Sequence, residues 1–437
     1  MTTEQIKALG PAFTSFLGSF FGCFVTRTTF KHVSAYCRGL LSDLPRKSVE
    51  PIALAGGSVV RTLQEVLTHH RWDHGRMRDE IQRRIVREHL PAPGGGPGTA
   101  DGLGVVGIID ETSVAKKGDK TPGVQHQYCG ASGKEDNCLV TVHLAIACDE
   151  FRALLDSDLY LPETTWHEDR PRCREAHIPD TVVYRAKWRI GIEQVKRAMA
   201  NGVRFDWITF DEGYGGKPPF LYELDALGQI YVGEVPPQFR CWPTLPPYQS
   251  LQAPFAAKRV DNAAIWGKPF LRQPWQRLGL KRQSVGPQQW EVKAAQVWLQ
   301  TPVINPRNQC RPTARTYWLI VARNVATAEI KYFVSNAPPK TNLKKLLRVA
   351  FCRWGIEHLF RVAKSEIGLG HYEGRSYQGL MRHMTLCKLM LLFVAEETTR
   401  LREKKSRIVG ADDGADGAGV EHAVPLLAGA TLQMFAN

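Results

Sequence analysis

Two predominantly apolar runs constrain this chain more than anything else in it: LGVVGIID (103–110) and CLVTVHLAIACD (138–149), both rich in β-branched residues. A run without polar alternation offers no polar face to water, so it suits a strand buried on both sides of a sheet. ALLDSDLYLP reads as a third strand, RAKWRIGIEQVKRAMANG (185–202) as an amphipathic helix ending in an Asn-Gly cap, and RFDWITFD (204–211) as a further strand. Strands in succession, then a helix, then a strand predict an α/β core with mixed strand directions.

The flanking sequence divides the chain. Residues 1–90 carry helical periodicity, as in SVVRTLQEVLTHH and MRDEIQRRIVREHL, and FTSFLGSFFGCF (13–24) is too short to span a bilayer and reads as a core helix. PAPGGGPGTADG (91–102) can hold neither helix nor strand and marks a linker. The core occupies 103–229. From 230 to 340 the chain is strand-like and rich in Trp and Pro, with no convincing helix, which predicts a β-rich insertion. Helical patterns return over 341–405, and the Gly/Ala/Asp-rich tail, 406–437, reads as poorly ordered.

The formal net charge of +14 favours a polyanionic partner, nucleic acid before others. The surplus sits in folded segments: residues 1–100 carry 13 Lys/Arg against 8 Asp/Glu, residues 340–408 carry 15 against 6, and residues 409–437 have none. Ten cysteines without zinc spacing, mostly inside apolar runs, indicate reduced buried thiols and a cytoplasmic protein. His126, His143 and His371 have no ligand spacing and read as core or hydrogen-bonding residues.

Asp110 ends VVGIID, and Asp211 ends WITFD ahead of Glu-Gly-Tyr-Gly-Gly. A carboxylate where a buried strand meets a loop is rigidly held yet accessible at the sheet rim, as active sites of α/β folds require. It also suits a plain turn cap. Two facing carboxylates repel and call for a cation, and all-oxygen ligation suits Mg²⁺ or Mn²⁺. Two such ions about 3.5–4 Å apart serve phosphodiester chemistry, which usually recruits a third carboxylate.

FCRWGIEHLFRVAKSEIG (351–368) offers two glutamates. At about 100° per residue, Glu357 shares a face with Arg353, Arg361 and Lys364. Cys352, Ile356, Leu359 and Ala363 form the core stripe, with Glu366 at its far edge. Cations at i−4, i+4 and i+7 keep Glu357 ionised and suit flanking phosphates, although an ordinary surface salt-bridge ladder has the same pattern.

Arg-x3-Glu-x6-Lys, met here as Arg353, Glu357 and Lys364, resembles the signature around the third acidic residue of insertion-sequence transposases of the DDE superfamily. IIDET and FDEGYGG resemble that family's first and second acidic motifs. KKGDKTPGVQHQYCGASGKEDNC, DLYLPETTW and GHYEGRSYQGLMRH resemble other blocks in the same order, so the resemblance runs from about residue 35 to 395. The signature often begins with Tyr three residues before the Arg; here that residue is Ala350.

The resemblance implies an α/β RNase H-like catalytic core with a β-rich insertion, an all-α N-terminal region that binds DNA, and C-terminal helices completing the core. It implies a catalytic, metal-binding triad of Asp110, Asp211 and Glu357 with two Mg²⁺ or Mn²⁺ ions. Arg353 and Lys364 would contact phosphates, joined by Arg361 on the same face and by Arg375 in the last block. Lys116, Lys117 and Lys134, around a Gly-rich loop after the first strand, suit DNA phosphates or a merely solvated loop. Trp266, Trp275, Trp290 and Trp298 in the insertion suit core packing or stacking on an unpaired base. The implied partner is double-stranded DNA, both element ends and target, bound by a homodimer on the nucleoid without membrane. A transposase-derived DNA-binding protein without catalysis, and a nuclease without strand transfer, remain open beside it.

Overall fold

The computed structural model describes residues 3–92, 102–246, 256–282, 286–301 and 311–409. Most of the expected linker, 93–101, and the tail from 410 lie outside them. In chain order, five helices come first: α1 (Thr3–Gly18), α2 (Arg27–Leu40), α3 (Val49–Ala55), α4 (Val60–Thr68) and α5 (His74–His89). Four strands follow: β1 (Val105–Ala115), β2 (Gln125–Cys129), β3 (Lys134–Cys148) and β4 (Phe151–Leu159). Then come α6 (Arg170–Glu175), α7 (Lys187–Ala200), β5 (Trp207–Phe210), α8 (Glu212–Gly215), α9 (Pro218–Ala226), β6 (Val232–Val235) and β7 (Arg240–Trp242). The remainder is β8 (Lys258–Arg259), α10 (Val260–Trp266), α11 (Lys268–Leu271), β9 (Gln276–Arg282), β10 (Gly286–Leu299), β11 (Tyr317–Asn324), β12 (Ile330–Ser335), α12 (Leu343–Cys352), α13 (Trp354–Val362) and α14 (Tyr377–Val409).

These elements form two compact units, one of Met1–Gly96, Glu111–Val203 and Ile356–Asn437, the other of Pro97–Asp110 and Arg204–Gly355. In the first, β3 pairs antiparallel with β2 and β4. The later half of β1 joins β3: Lys116 N donates to Asn137 O and Thr141 Oγ1 to Thr112 O, an opposed order that marks antiparallel strands. The run in β3 is buried at every position from Cys138 to Cys148, which explains its lack of alternation. α7 packs on β3 and β4, and α14 packs on β4, α2, α4 and α5. Phe13, Phe16 and Phe20 are buried, with Phe13 and Phe16 in ring contact with Phe393 of α14, so one face of the FTSFLGSFFGCF stretch is core, while Phe21 is exposed and the helix ends at Gly18. Asn201 caps α7 and Gly202 follows at φ 97, a left-handed position that glycine holds without strain.

In the second unit the earlier half of β1 pairs in parallel with β5, from Val106↔Trp207 to Ile109↔Phe210. β5 is in turn bridged in parallel at Ile208↔Tyr231, beside β6. β6 opens a seven-stranded sheet of order β6-β12-β11-β10-β7-β8, with β9 beside β10 and all pairings antiparallel. The strand-rich reading of 230–340 therefore describes the sheet but misses α10 and α11. Their seven and four residues are too short for helical periodicity to register against the surrounding strand pattern. Among the described residues the cysteines form no disulfide and all but Cys352 are buried, and no helix is long and apolar enough to cross a membrane.

Candidate active site

Asp110 does not end its strand. β1 continues through Glu111 to Ala115, because the polar residues there still find partners in β3. What ends at Asp110 is the parallel pairing with β5, whose last registered pair is Ile109↔Phe210. The next residues along the two chains are Asp110, still within β1, and Asp211, which follows β5 as the N-cap of α8. Both carboxylates thus come directly after the last registered pair of β1 and β5.

Each is held. Asp110 is 8% exposed and its Oδ2 accepts from Arg353 Nη1 at 3.1 Å. That guanidinium offsets the cost of burying the negative charge. Asp211 keeps extended backbone and caps α8, its Oδ1 accepting from Gly213 N at 3.0 Å and Tyr214 N at 3.3 Å. The turn-cap reading of a strand-end aspartate therefore holds for Asp211. The glycines that follow answer to packing. A Cβ on Gly215 would collide with the backbone carbonyl of Glu234, and one on Gly233 with the ring of Phe210.

Arg353 lies at the junction of α12 and α13, and its turn is anchored by aromatic rings. Phe351 stacks on Trp354 at 4.2 Å between centroids, and Trp290 of β10, 1% exposed, packs on Phe351 at 4.8 Å. Trp290 is therefore core. Trp275 lies under the cations of Lys293 and Arg323, Trp298 pairs with Trp242 across strands, and Trp266 is 67% exposed.

The region 351–368 is not one regular helix. It breaks at Arg353, and after Val362 it widens into a π-turn, Ala363–Ile367, that ends at Gly368 with φ 84. The uniform 100° step fails past Val362. The buried stripe is Ile356, Phe360, Ala363 and Ile367, while Leu359 and Cys352 are only half buried. Glu357 and Arg361 are exposed on α13, and Glu357 belongs to the unit that begins at Ile356. Lys364 is half buried, and desolvation pushes its ammonium below the ordinary lysine value. Glu366 accepts from Ser365 Oγ through its carboxylate and from Lys47 Nζ through its main-chain carbonyl.

Lys117, Lys134, Arg361 and Arg375 are exposed, Arg375 lining a cavity of about 50 Å³ beside Trp166 and Arg172. Lys116 differs: its ammonium turns inward and donates to Gly370 O at 2.9 Å and Tyr372 O at 2.5 Å. Three loop carbonyl contacts of this kind, from Lys116 and Lys47, carry no sequence signal, because a buried lysine and a solvated one look alike in a string of residues. His143, between Thr141 Oγ1 and Ser157 Oγ, is held by burial near 3, and His383 near 4. Among the described residues no three His, Cys, Asp or Glu side chains are gathered in a ligand-like cluster.

A comparison with known protein families matches residues 19–290 to the DDE superfamily endonuclease model, more than half of the chain. The chain belongs to the DDE superfamily. A second DDE model, the transposase DDE domain, covers residues 189–393. A similar curated protein is the probable transposase for insertion sequence element IS701 of Microchaete diplosiphon, 30% identical over 207 residues. That match covers 46% of this chain and 47% of the relative, so the chain spans about half the length of the curated relative it matches. Asp110 and Asp211 fall within the first DDE match and Glu357 within the second.

Proposed function

We propose that this protein is a DDE-type transposase, which cuts DNA at the ends of a mobile element and joins the freed 3′-hydroxyl to target DNA. The observation that carries the reading is that Asp110 and Asp211 directly follow the last registered pair of β1 and β5 in a chain of this superfamily. The strand arrangement supports an RNase H-like core: β4, β3, β1 and β5 are neighbours in that order, antiparallel on the β3 side and parallel on the β5 side. The basic surplus and the relative's printed name support DNA as partner; the proposed DNA is both element ends and target, held by a homodimer.

Hard carboxylates suit Mg²⁺ or Mn²⁺, and Asp110, Asp211 and Glu357 would hold two such ions. When bound, the ions supply polarisation of the phosphodiester and a lowered proton affinity at the attacking oxygen. The chain's own residues do the positioning. β1 and β5 fix the two aspartates, the α8 cap fixes the carboxylate plane of Asp211, and Arg353 balances the charge of Asp110. Arg353, Arg361 and Lys364 are the proposed phosphate contacts nearest Glu357, with Lys117, Lys134 and Arg375 as exposed contributors to DNA affinity.

The test is cleavage of the DNA that flanks the reading frame. Asp110→Asn, Asp211→Asn and Glu357→Gln should each abolish Mg²⁺-dependent cutting and leave DNA binding intact. Full cutting by Glu357→Gln removes it from the triad. DNA binding by the wild type without any cutting points instead to a non-catalytic descendant. Cutting without joining of pre-cut ends points to a nuclease.

A further inference from the structure

Lys116 and Lys47 are remote in sequence, yet both ammonium groups are spent on carbonyls of one short segment, the turn that follows Lys364. Lys47 is 2% exposed, and its Nζ donates to Leu40 O at 2.9 Å and to Glu366 O. Its main-chain N donates to His371 Nδ1 at 3.0 Å. Lys116 takes Gly370 O and Tyr372 O. Between them, His383 Nε2 bonds Gly368 O at 3.1 Å, and Tyr36 OH meets the other ring nitrogen at 2.9 Å. The carbonyls of residues 366, 368, 370 and 372 are therefore each gripped from outside the turn.

A helix end leaves its last carbonyls without internal partners, and ordinary helices meet them with backbone caps or water. Here Lys47, between α2 and α3, meets the Glu366 carbonyl at that end, and Lys116, just past β1, meets the Gly370 and Tyr372 carbonyls of the turn after it. Burial pushes both lysines down to about 8, so each ammonium costs free energy to keep charged. A sequence needing only to end a helix has cheaper ways to do so. The left-handed Gly368 and the Leu369 N to Ala363 O bond already form such a cap. The lysines add rigidity beyond termination, and the segment they fix begins two residues after Lys364 and nine after Glu357.

We propose that Lys116 and Lys47 are positioning residues: they lock the 366–372 turn and, through the π-turn and α13, the orientation of Glu357 and Lys364. This deepens the proposed function and rests on Glu357 acting there. It reassigns Lys116 from phosphate contact to internal clamp. The two roles differ in what a substitution changes, since a phosphate contact contributes affinity and salt dependence, whereas a clamp contributes rate on bound DNA.

The experiment compares wild type, Lys116→Met, Lys47→Met and Lys116→Arg, with the exposed Lys120→Met as charge control. Measured for each are amide exchange over 363–372, DNA affinity against salt, and cutting rate at saturating DNA. The expected result is exchange at 366–372 faster by at least about tenfold in both Met variants. Their cutting rate should fall at least about tenfold with affinity and salt slope unchanged, and Lys116→Arg, which keeps a multi-donor cation, should recover most of it. Wild-type exchange and rate in Lys116→Met overturn the proposal, as does a loss confined to affinity. If one Met variant does not fold, the other carries the same test. If the wild type cuts nothing, the transposase reading fails while the exchange measurement still decides the clamp.

Discussion

Replacing Arg353 by Met tests the charge balance at the aspartate pair most directly. The stem of the side chain is kept and only the guanidinium goes. At the 3.1 Å separation two unit charges attract by about 5 kcal/mol at an effective dielectric near 20. Both side chains are shielded, 14% and 11% exposed, so solvent screening removes little of this. Some attraction is repaid when water reaches the stranded carboxylate, which leaves a loss of about 3 kcal/mol, at the low end for breaking a buried pair. At roughly 2–4 °C per kcal/mol, the midpoint of thermal unfolding in EDTA should drop by about 6–12 °C. Mg²⁺ should then restore more stability to the variant than it adds to wild type, because a cation at Asp110 no longer competes with the guanidinium. At about ten times its Kd the ion returns about 1.4 kcal/mol. Differential scanning calorimetry with and without Mg²⁺ measures both. An unchanged midpoint in EDTA, or an equal Mg²⁺ gain in the two proteins, refutes the reasoning.

The two roles of Asp211 separate by substitution: Asn retains the cap, so Asp211→Asn should stay within about 0.5 kcal/mol of wild type, whereas Asp211→Ala should lose about 1 kcal/mol in urea unfolding. Acid should destabilise the protein through His74, His143 and His383, which burial holds near 4, 3 and 4 against an ordinary 6.5. Their folded values are depressed, so the unfolded chain binds more protons below 6.5. Stability is full above that pH and falls as pH drops towards 4, by up to about 1.4 kcal/mol per unit for each ring. A difference titration of folded and urea-unfolded protein at pH 5 should show about three extra protons on the unfolded chain from these residues. Equal uptake would mean the rings are charged in the folded state.

The main strands were legible because burial on both faces writes itself as unbroken apolar sequence, as in 103–110 and 138–149. Asp110 and Asp211 were legible as the polar residues that close such runs. The continuation of β1 through Glu111-Thr112-Ser113 was not, because its partners lie on β3 and polarity alone reads as a loop. The break at Arg353 and the π-turn escaped a uniform helical step for a similar reason. They are fixed by Trp290, Lys47 and His383, residues far away in sequence. Lys116 read as a phosphate contact or a solvated loop cation because only the fold reveals the carbonyls that its ammonium meets.

The two glycines near Asp211 differ in what could ever release them. Gly233 is confined by the ring of Phe210, so a smaller residue at 210 makes room, and the two positions are free to drift as a pair. Gly215 is confined by the main-chain carbonyl of Glu234, an atom every residue carries. No exchange at 234 compensates for a side chain at 215, so that glycine belongs to the path of the backbone rather than to any partner's identity.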